Sequence, residues 1–146
     1  MRVAIVDYGA GNIASVKNAL LAVGAEGVLV DSPARLFDFA RVIVPGVGAF
    51  GAAMQALRAK GFEPALRDYA QSTQESENAL FGICLGMQLL FDMSYEFGEH
   101  AGLGIVSGEV VPLCNAPKIP HMGWNQLHFV RDCALNATLG PSEFLY

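Results

Sequence analysis

The sequence is poor in charge and has no basic cluster. Only 16% of its 146 residues are charged and 53% are hydrophobic, whereas an average domain is about 25% charged. This composition excludes a disordered chain, which needs many charges and few apolar residues. The nine basic residues are scattered, and fourteen acidic ones leave a net charge of −5. Such a chain offers no surface for a nucleic-acid backbone.

Long apolar segments are missing as well. No hydrophobic run reaches the roughly 18 residues that suggest a membrane-spanning helix. The chain enters a strand-like run, Met1–Val6, without the basic start that is typical of a secretory signal peptide. We therefore expect a cytoplasmic protein that does not contact a membrane.

Cysteine and histidine are scarce, and their spacing suggests neither disulfides nor a metal site. There are three of each, an odd number of cysteines without a CxxC pair, so we expect free thiols. No two histidines have the spacing of metal ligands with a nearby acid, so we expect no metal and no other cofactor. The residues concerned are Cys84, Cys114, Cys133, His100, His121 and His128.

Short β-branched runs alternate with helical patterns in the first 93 residues. The runs are continuously apolar, which is typical of parallel strands buried on both faces. We predict a single α/β domain over residues 1–146, with a doubly wound, mostly parallel sheet and flanking helices. The predicted strands are Arg2–Val6, Val28–Val30, Val42–Val44 and Ala79–Ile83, and the predicted helices are Ser15–Val23, one starting near Pro33, Met54–Ala70 with a break near Gly61, and Leu85–Met93.

The pattern becomes less regular after Ser94. Glycines are frequent, and two segments, Ile105–Leu113 and Trp124–Val130, indicate strands that we expect to be antiparallel. The last residues, Phe144–Tyr146, resemble the middle of a strand, so we expect the C-terminal part of the domain to be missing.

One segment combines a strand, a Gly-x-Cys-x-Gly motif and a helix. Gly82, Cys84 and Gly86 form the cysteine version of a nucleophile elbow. The glycines leave room at a tight strand-to-helix turn, and the positive end of the following helix favours the thiolate. The backbone N–H of Leu85 would then point toward an oxyanion beside Cys84. A lone cysteine is more often a buried structural residue, but the flanking glycines favour a nucleophile.

Two other glycine-rich segments follow predicted strands. Pro45–Gly48 lies at the carboxyl edge of the sheet, where it is either a plain turn or a loop that supplies a second oxyanion N–H. Asp7–Asn12 resembles a dinucleotide-binding loop only superficially, because Ala14 occupies the third glycine position. No histidine belongs to a His-x-Asp or His-x-Glu pair that could serve Cys84 as a base.

Together these residues resemble a known family. Gly82–Gln88 is similar to the nucleophile region of the class I, or triad, glutamine amidotransferases, and Pro45–Gly48 to their oxyanion strand. Val6–Asn12 and Pro120–Asn125 resemble segments of the glutaminase subunits of imidazole glycerol phosphate synthases. The resemblance covers nearly the whole chain, and these last two segments favour this subfamily over the glutaminases of pyridoxal phosphate synthesis.

The resemblance implies a flavodoxin-like fold and a definite set of roles. Cys84 would attack the side-chain amide of glutamine, the N–H groups of Leu85 and of the Gly46–Val47 stretch would hold the oxyanion, and Gln88 would bind the substrate. Ammonia would pass to a (β/α)8-barrel cyclase partner in histidine biosynthesis. The residues expected to face that partner are Asn12, Met122, Trp124 and Asn125. Trp124 alone is equally well read as a core residue.

One departure from the family leaves two interpretations open. The family places its catalytic His-x-Glu pair well after the Pro120–Asn125 segment, and the 146 residues hold no such pair. The chain is then either the N-terminal part of a glutaminase subunit or a catalytically inert binding or regulatory module.

On either interpretation we predict that the 146-residue chain does not turn over glutamine, even with the cyclase added, since it has one triad residue of three. The measurement is glutamate release with time. Steady release at a rate near that of a complete glutaminase subunit would contradict the prediction.

Overall fold

The computed structural model describes residues 1–73, 77–114, 122–126, 128–130 and 144–145. The chain divides into two compact units, Met1–Pro112 and Leu113–Tyr146. The prediction of one domain stays a prediction. In the residues described, no helix is both long and apolar enough to cross a membrane.

A parallel sheet of four strands forms the centre of the first unit. The strand order is β2-β1-β3-β4, and every neighbouring pair is parallel, as the sequence predicts. Because parallel strands share one carboxyl edge, the turns after β1, β3 and β4 lie at the same edge of the sheet. The strands are β1 (Arg2–Val6), β2 (Glu26–Val30), β3 (Arg41–Val44) and β4 (Ala79–Gly82).

Helices connect these strands. The predicted helix from Met54 to Ala70 is two helices, divided at Gly61, which has a left-handed backbone. The first helix starts at Ile13 because the Asn12 side chain accepts a hydrogen bond from the Ser15 N–H at 3.2 Å. The helices are α1 (Ile13–Ala22), a 3-10 helix (Pro33–Asp38), α2 (Phe50–Ala59), α3 (Phe62–Ser72) and α4 (Leu85–Gln88).

Both faces of the central strands β1 and β3 are buried, which confirms the doubly wound fold. Side chains alternate along a strand, so Val3 and Ile5 face one side while Ala4 and Val6 face the other. The first pair belongs to a core cluster with Val16 of α1. The second pair belongs to a larger cluster that includes side chains of α2 and α3. Two hydrophobic cores therefore hold the sheet in place from opposite sides.

The helix predicted over Leu85–Met93 is wrong beyond Gln88. The carbonyl of Leu89 accepts from the N–H of Leu103, and that of Leu90 accepts from Ile105 and Val106, at 2.8–2.9 Å. These bonds replace helical ones, so pairing with a distant segment overrides the local helical pattern. Phe91–Ser94 becomes the strand β5.

A second sheet of three strands completes the first unit, with the order β6-β5-β7. The segment predicted as antiparallel, Ile105–Leu113, contains β7 (Val106–Val110), which is parallel to β5. The reason is the path of the chain. It reverses into β6 (His100–Ala101) on one side of β5 and returns on the other side.

The described residues of the second unit include a small antiparallel ladder. Within Trp124–Val130, the described strand is β8 (Asn125–Gln126), and it pairs with β9 (Phe144–Leu145). The antiparallel pairing and the strand character of the last residues agree with the sequence prediction, but Trp124 and His128–Val130 lie outside the strand.

Candidate active site

Cys84 lies on the sharp turn between β4 and α4. Its backbone has φ 55° and ψ −118°, a region that residues other than glycine rarely adopt and that costs about 1–3 kcal/mol. The side chain is exposed. The predicted elbow is therefore present, with its cysteine held outward on a strained backbone.

The two flanking glycines are required by space. A Cβ on Gly82 would lie 2.5 Å from the backbone nitrogen of Met87, and one on Gly86 would lie 2.7 Å from the carbonyl carbon of Val44. Both distances are below those that real Cβ atoms show. The glycines thus leave room at the turn, as the motif predicts, and the backbone after Cys84 folds directly onto the end of β3.

Gly46 brings the second glycine-rich loop to the same place. A Cβ on Gly46 would lie 2.5 Å from the Gly86 nitrogen and 2.9 Å from the Leu85 Cβ. The N–H of Ile83 also donates to the carbonyl of Val44 at 3.0 Å. The Pro45–Gly46 backbone therefore packs against the first turn of α4, one residue beyond the cysteine.

The arrangement brings candidate oxyanion donors together. Leu85 is buried and is the first residue of α4, where an N–H has no helical partner. Gly46 is buried, and Val47 beside it is 56% exposed. The contribution of the helix dipole is smaller than the sequence suggests, because α4 has four residues instead of the nine predicted over Leu85–Met93.

Tyr8 anchors the loop that contains Gly46. Its hydroxyl donates to the carbonyl oxygen of Pro45 at 2.7 Å, and only 2% of the residue is exposed. Burial raises the pKa of this phenol from 10.0 to about 12. The Asp7–Asn12 segment, which superficially resembles a nucleotide-binding loop in sequence, thus supports the Pro45–Gly48 loop.

Glu96 supports the far end of the same loop. Its carboxylate accepts a hydrogen bond at 2.8 Å from the N–H of Phe50, the first residue of α2. A carboxylate at a helix start stabilises the exposed N–H groups there. Neither Tyr8 nor Glu96 was singled out from the sequence. Tyr8 had one signal, its place two residues after a predicted parallel strand.

The other predicted site residues lie in several places. Gln88 ends α4, one turn after Cys84, and is partly buried. His100 lies over Gly51 of α2, since a Cβ on that glycine would be 2.6 Å from the imidazole. His128 is exposed in the second unit. His121 and Cys133 lie outside the described residues.

The residues expected to face a partner are exposed. Asn12 is exposed in the first unit, where its side chain also caps α1. In the second unit Met122 is 66% and Trp124 is 71% exposed, which argues against a core position for the tryptophan. Asn125, also exposed, donates from its side chain to the carbonyl of Gly123 at 2.9 Å.

Comparison with known proteins identifies the family of the chain. The sequence profile of the family Glutamine amidotransferase class-I matches residues 4–144. The chain is similar to a crystal structure of a glutamine amidotransferase, with a TM-score of 0.60 and 28% identity, over 73% of this chain and 55% of that one.

Curated relatives with the name imidazole glycerol phosphate synthase subunit HisH are more similar in sequence. The protein from Wolinella succinogenes is 47% identical over 99% of this chain and 71% of its own length. The proteins from Sulfurimonas denitrificans and Aquifex aeolicus are 44% and 46% identical, and this chain covers 70% and 69% of their lengths.

The strain at Cys84 predicts an unusual order of stabilities. We expect Cys84→Gly to be more stable than Cys84→Ala by about 1 kcal/mol, because glycine adopts this φ and ψ without cost. The measurement is the free energy of unfolding in urea. Met87, in α4, is the control, where glycine should be less stable than alanine. The same order at both positions would contradict the strain.

Burial of Tyr8 predicts a loss of stability at high pH. Between pH 10 and about 12 the unfolded phenol loses its proton before the folded one does, so folding weakens as the pH rises. The contribution of the protonated Tyr8 phenol to the free energy of unfolding is complete below pH 10 and amounts to about 2–3 kcal/mol. We expect the stability difference between wild type and Tyr8→Phe to shrink by that amount across this range. A difference independent of pH would contradict the burial of the hydroxyl.

Proposed function

The chain belongs to the class-I glutamine amidotransferase family, and we propose that Cys84 is the nucleophile that releases ammonia from glutamine. The observation that carries this proposal is the packing of the Gly46 backbone against Leu85 and Gly86, next to an exposed cysteine on a strained turn. Backbone N–H groups beside a nucleophile are suited to acyl transfer, in which an oxyanion forms.

The reaction follows from the chemistry of a thiolate and an amide. The sulfur of Cys84 adds to the side-chain carbonyl carbon of glutamine, and the carbonyl oxygen takes up the negative charge. The C–N bond then breaks, and the nitrogen takes up the proton that the Cys84 thiol lost and leaves as ammonia. Water hydrolyses the resulting glutamyl thioester, which gives glutamate and restores the thiol.

We assign the oxyanion to the N–H groups of Leu85 and of the Gly46–Val47 stretch. Each donor removed from such a site typically costs about 100-fold to 1,000-fold in rate. The place of Gln88, one turn from the nucleophile and partly buried, supports a role in binding glutamine.

The relatives support a narrower assignment. They are subunits of imidazole glycerol phosphate synthase, so we propose that this chain is a glutaminase subunit of that cytoplasmic enzyme in histidine biosynthesis. A (β/α)8-barrel cyclase would receive the ammonia, shielded from water. The exposure of Asn12, Met122, Trp124 and Asn125 supports their place at the surface for that partner.

The histidine base and the glutamate of the triad are the parts that these residues do not supply. None of the three histidines is followed at the second position by glutamate, and His100 is engaged against α2. We propose that the 146 residues bind glutamine and carry the nucleophile but do not complete the catalytic cycle. The same observation favours the second candidate function, an inert binding module.

Chemical labelling tests the assignment of the nucleophile. We expect a chloroketone analogue of glutamine to label Cys84 at least about tenfold faster than Cys114, and L-glutamine to protect Cys84. The sites are identified by peptide mass spectrometry. Cys114 is the internal control, because it is also exposed.

A Gln88→Ala variant separates binding from reactivity. It should lose protection by L-glutamine while its reaction with iodoacetamide stays unchanged. Equal labelling of the two cysteines, with no protection, would contradict the glutaminase proposal. Protection by glutamine without faster labelling of Cys84 would favour the binding module.

A further inference from the structure

The hydroxyl of Tyr8 controls the direction of one peptide group in the oxyanion loop. It donates to the Pro45 carbonyl at 2.7 Å from a buried ring. A peptide group is planar, so a fixed carbonyl also fixes the N–H of Gly46 on the opposite side. The backbone atoms of Gly46 in turn lie against Leu85 and Gly86. The hydrogen bond therefore fixes the orientation of the first peptide of the loop beside Cys84.

The loop needs such an anchor because glycine restrains it little. Gly46 and Gly48 flank Val47, and Gly48 has φ 102°, so no side chain of their own restricts the backbone torsions on either side of Val47. Without the bond to Tyr8, the Pro45–Gly46 peptide could rotate, and the Gly46–Val47 peptide that follows it would no longer be held in one orientation.

The backbone before and after Tyr8 is itself held in place. The Nζ of Lys60 donates to the carbonyl of Asp7 at 2.8 Å. On the other side a Cβ on Gly11 would lie 2.9 Å from the Cβ of Pro45, so the segment after Tyr8 packs directly on that proline. The segment from Asp7 to Gly11 thus supports Pro45 by contact as well as by a hydrogen bond.

We propose that Tyr8 is a positioning residue, whose hydrogen bond to Pro45 presents the Gly46–Val47 backbone N–H to the oxyanion formed at Cys84. This inference rests on the proposed function. Loss of the Tyr8 hydroxyl should slow the reactions at Cys84 that form an oxyanion by more than the loss of folding stability alone explains.

The structure offers a matched control for this effect. The hydroxyl of Tyr69 also donates from a fully buried ring to a backbone carbonyl, that of Phe39, at 2.8 Å. Phe39 precedes β3, whereas Pro45 follows it, so the two bonds lie at opposite ends of one strand. Tyr8→Phe and Tyr69→Phe therefore remove the same kind of bond, one near the site and one remote from it.

The test compares two reagents on Cys84 of the 146-residue chain. Attack on a chloroketone analogue of glutamine places negative charge on a carbonyl oxygen, whereas iodoacetamide reacts by displacement at carbon without an oxyanion. The measured quantity is the rate of the reaction with the chloroketone divided by the rate of the reaction with iodoacetamide. We expect Tyr8→Phe to lower this ratio at least about fivefold and Tyr69→Phe to leave it unchanged, at a temperature where both variants are folded.

An unchanged ratio in Tyr8→Phe, or equal falls in both variants, would overturn the proposal. Should Tyr8→Phe not fold, Lys60→Met takes its place, because Lys60 is partly exposed and holds the peptide before Tyr8. The proposal then predicts a fall of about twofold or more, and an unchanged ratio overturns it. Wild-type Cys84 that reacts no faster with the glutamine analogue than with chloroacetone would instead contradict the proposed function.

Discussion

Three segments of backbone meet beside Cys84 because Gly46, Gly82 and Gly86 have no side chains. A Cβ at any of them would lie within 3.0 Å of backbone atoms of another segment. This close approach fixes the turn after β4, the loop after β3 and the first turn of α4 relative to one another. The exposed position of the cysteine and the nearby N–H groups both depend on it.

The surrounding fold provides the rigidity that the strained turn needs. Two cores hold the sheet on both faces. The buried Tyr8 hydroxyl restrains the Pro45–Gly48 loop through its hydrogen bond to the Pro45 carbonyl. A residue such as Cys84, with φ 55°, persists only where its surroundings over-determine its conformation. The stable sheet thus tolerates an unfavourable backbone conformation at Cys84, where the chemistry is proposed to occur.

The sequence predicts the parallel sheet and the elbow well because their signals are local. Apolar runs identify β1 to β4, and the glycines around Cys84 identify the turn. Predictions based on local pattern were wrong where distant pairing decides the structure. Leu89 and Leu90 continue a helical pattern, yet their carbonyls bond to residues 103–106. The bond from Tyr8 to Pro45 spans 37 positions, so no pattern within either segment reveals it.

The central claim is that the backbone around Cys84 forms an oxyanion site for glutamine. A crystal structure of the chain after reaction with a chloroketone analogue of glutamine tests it most directly. The account predicts a covalent bond to the Cys84 sulfur and the carbonyl oxygen of the adduct about 2.7–3.1 Å from the backbone nitrogen of Leu85. It also predicts a second such contact from the Gly46–Val47 stretch. An adduct whose oxygen points into solvent, with no backbone N–H in reach, would contradict the account.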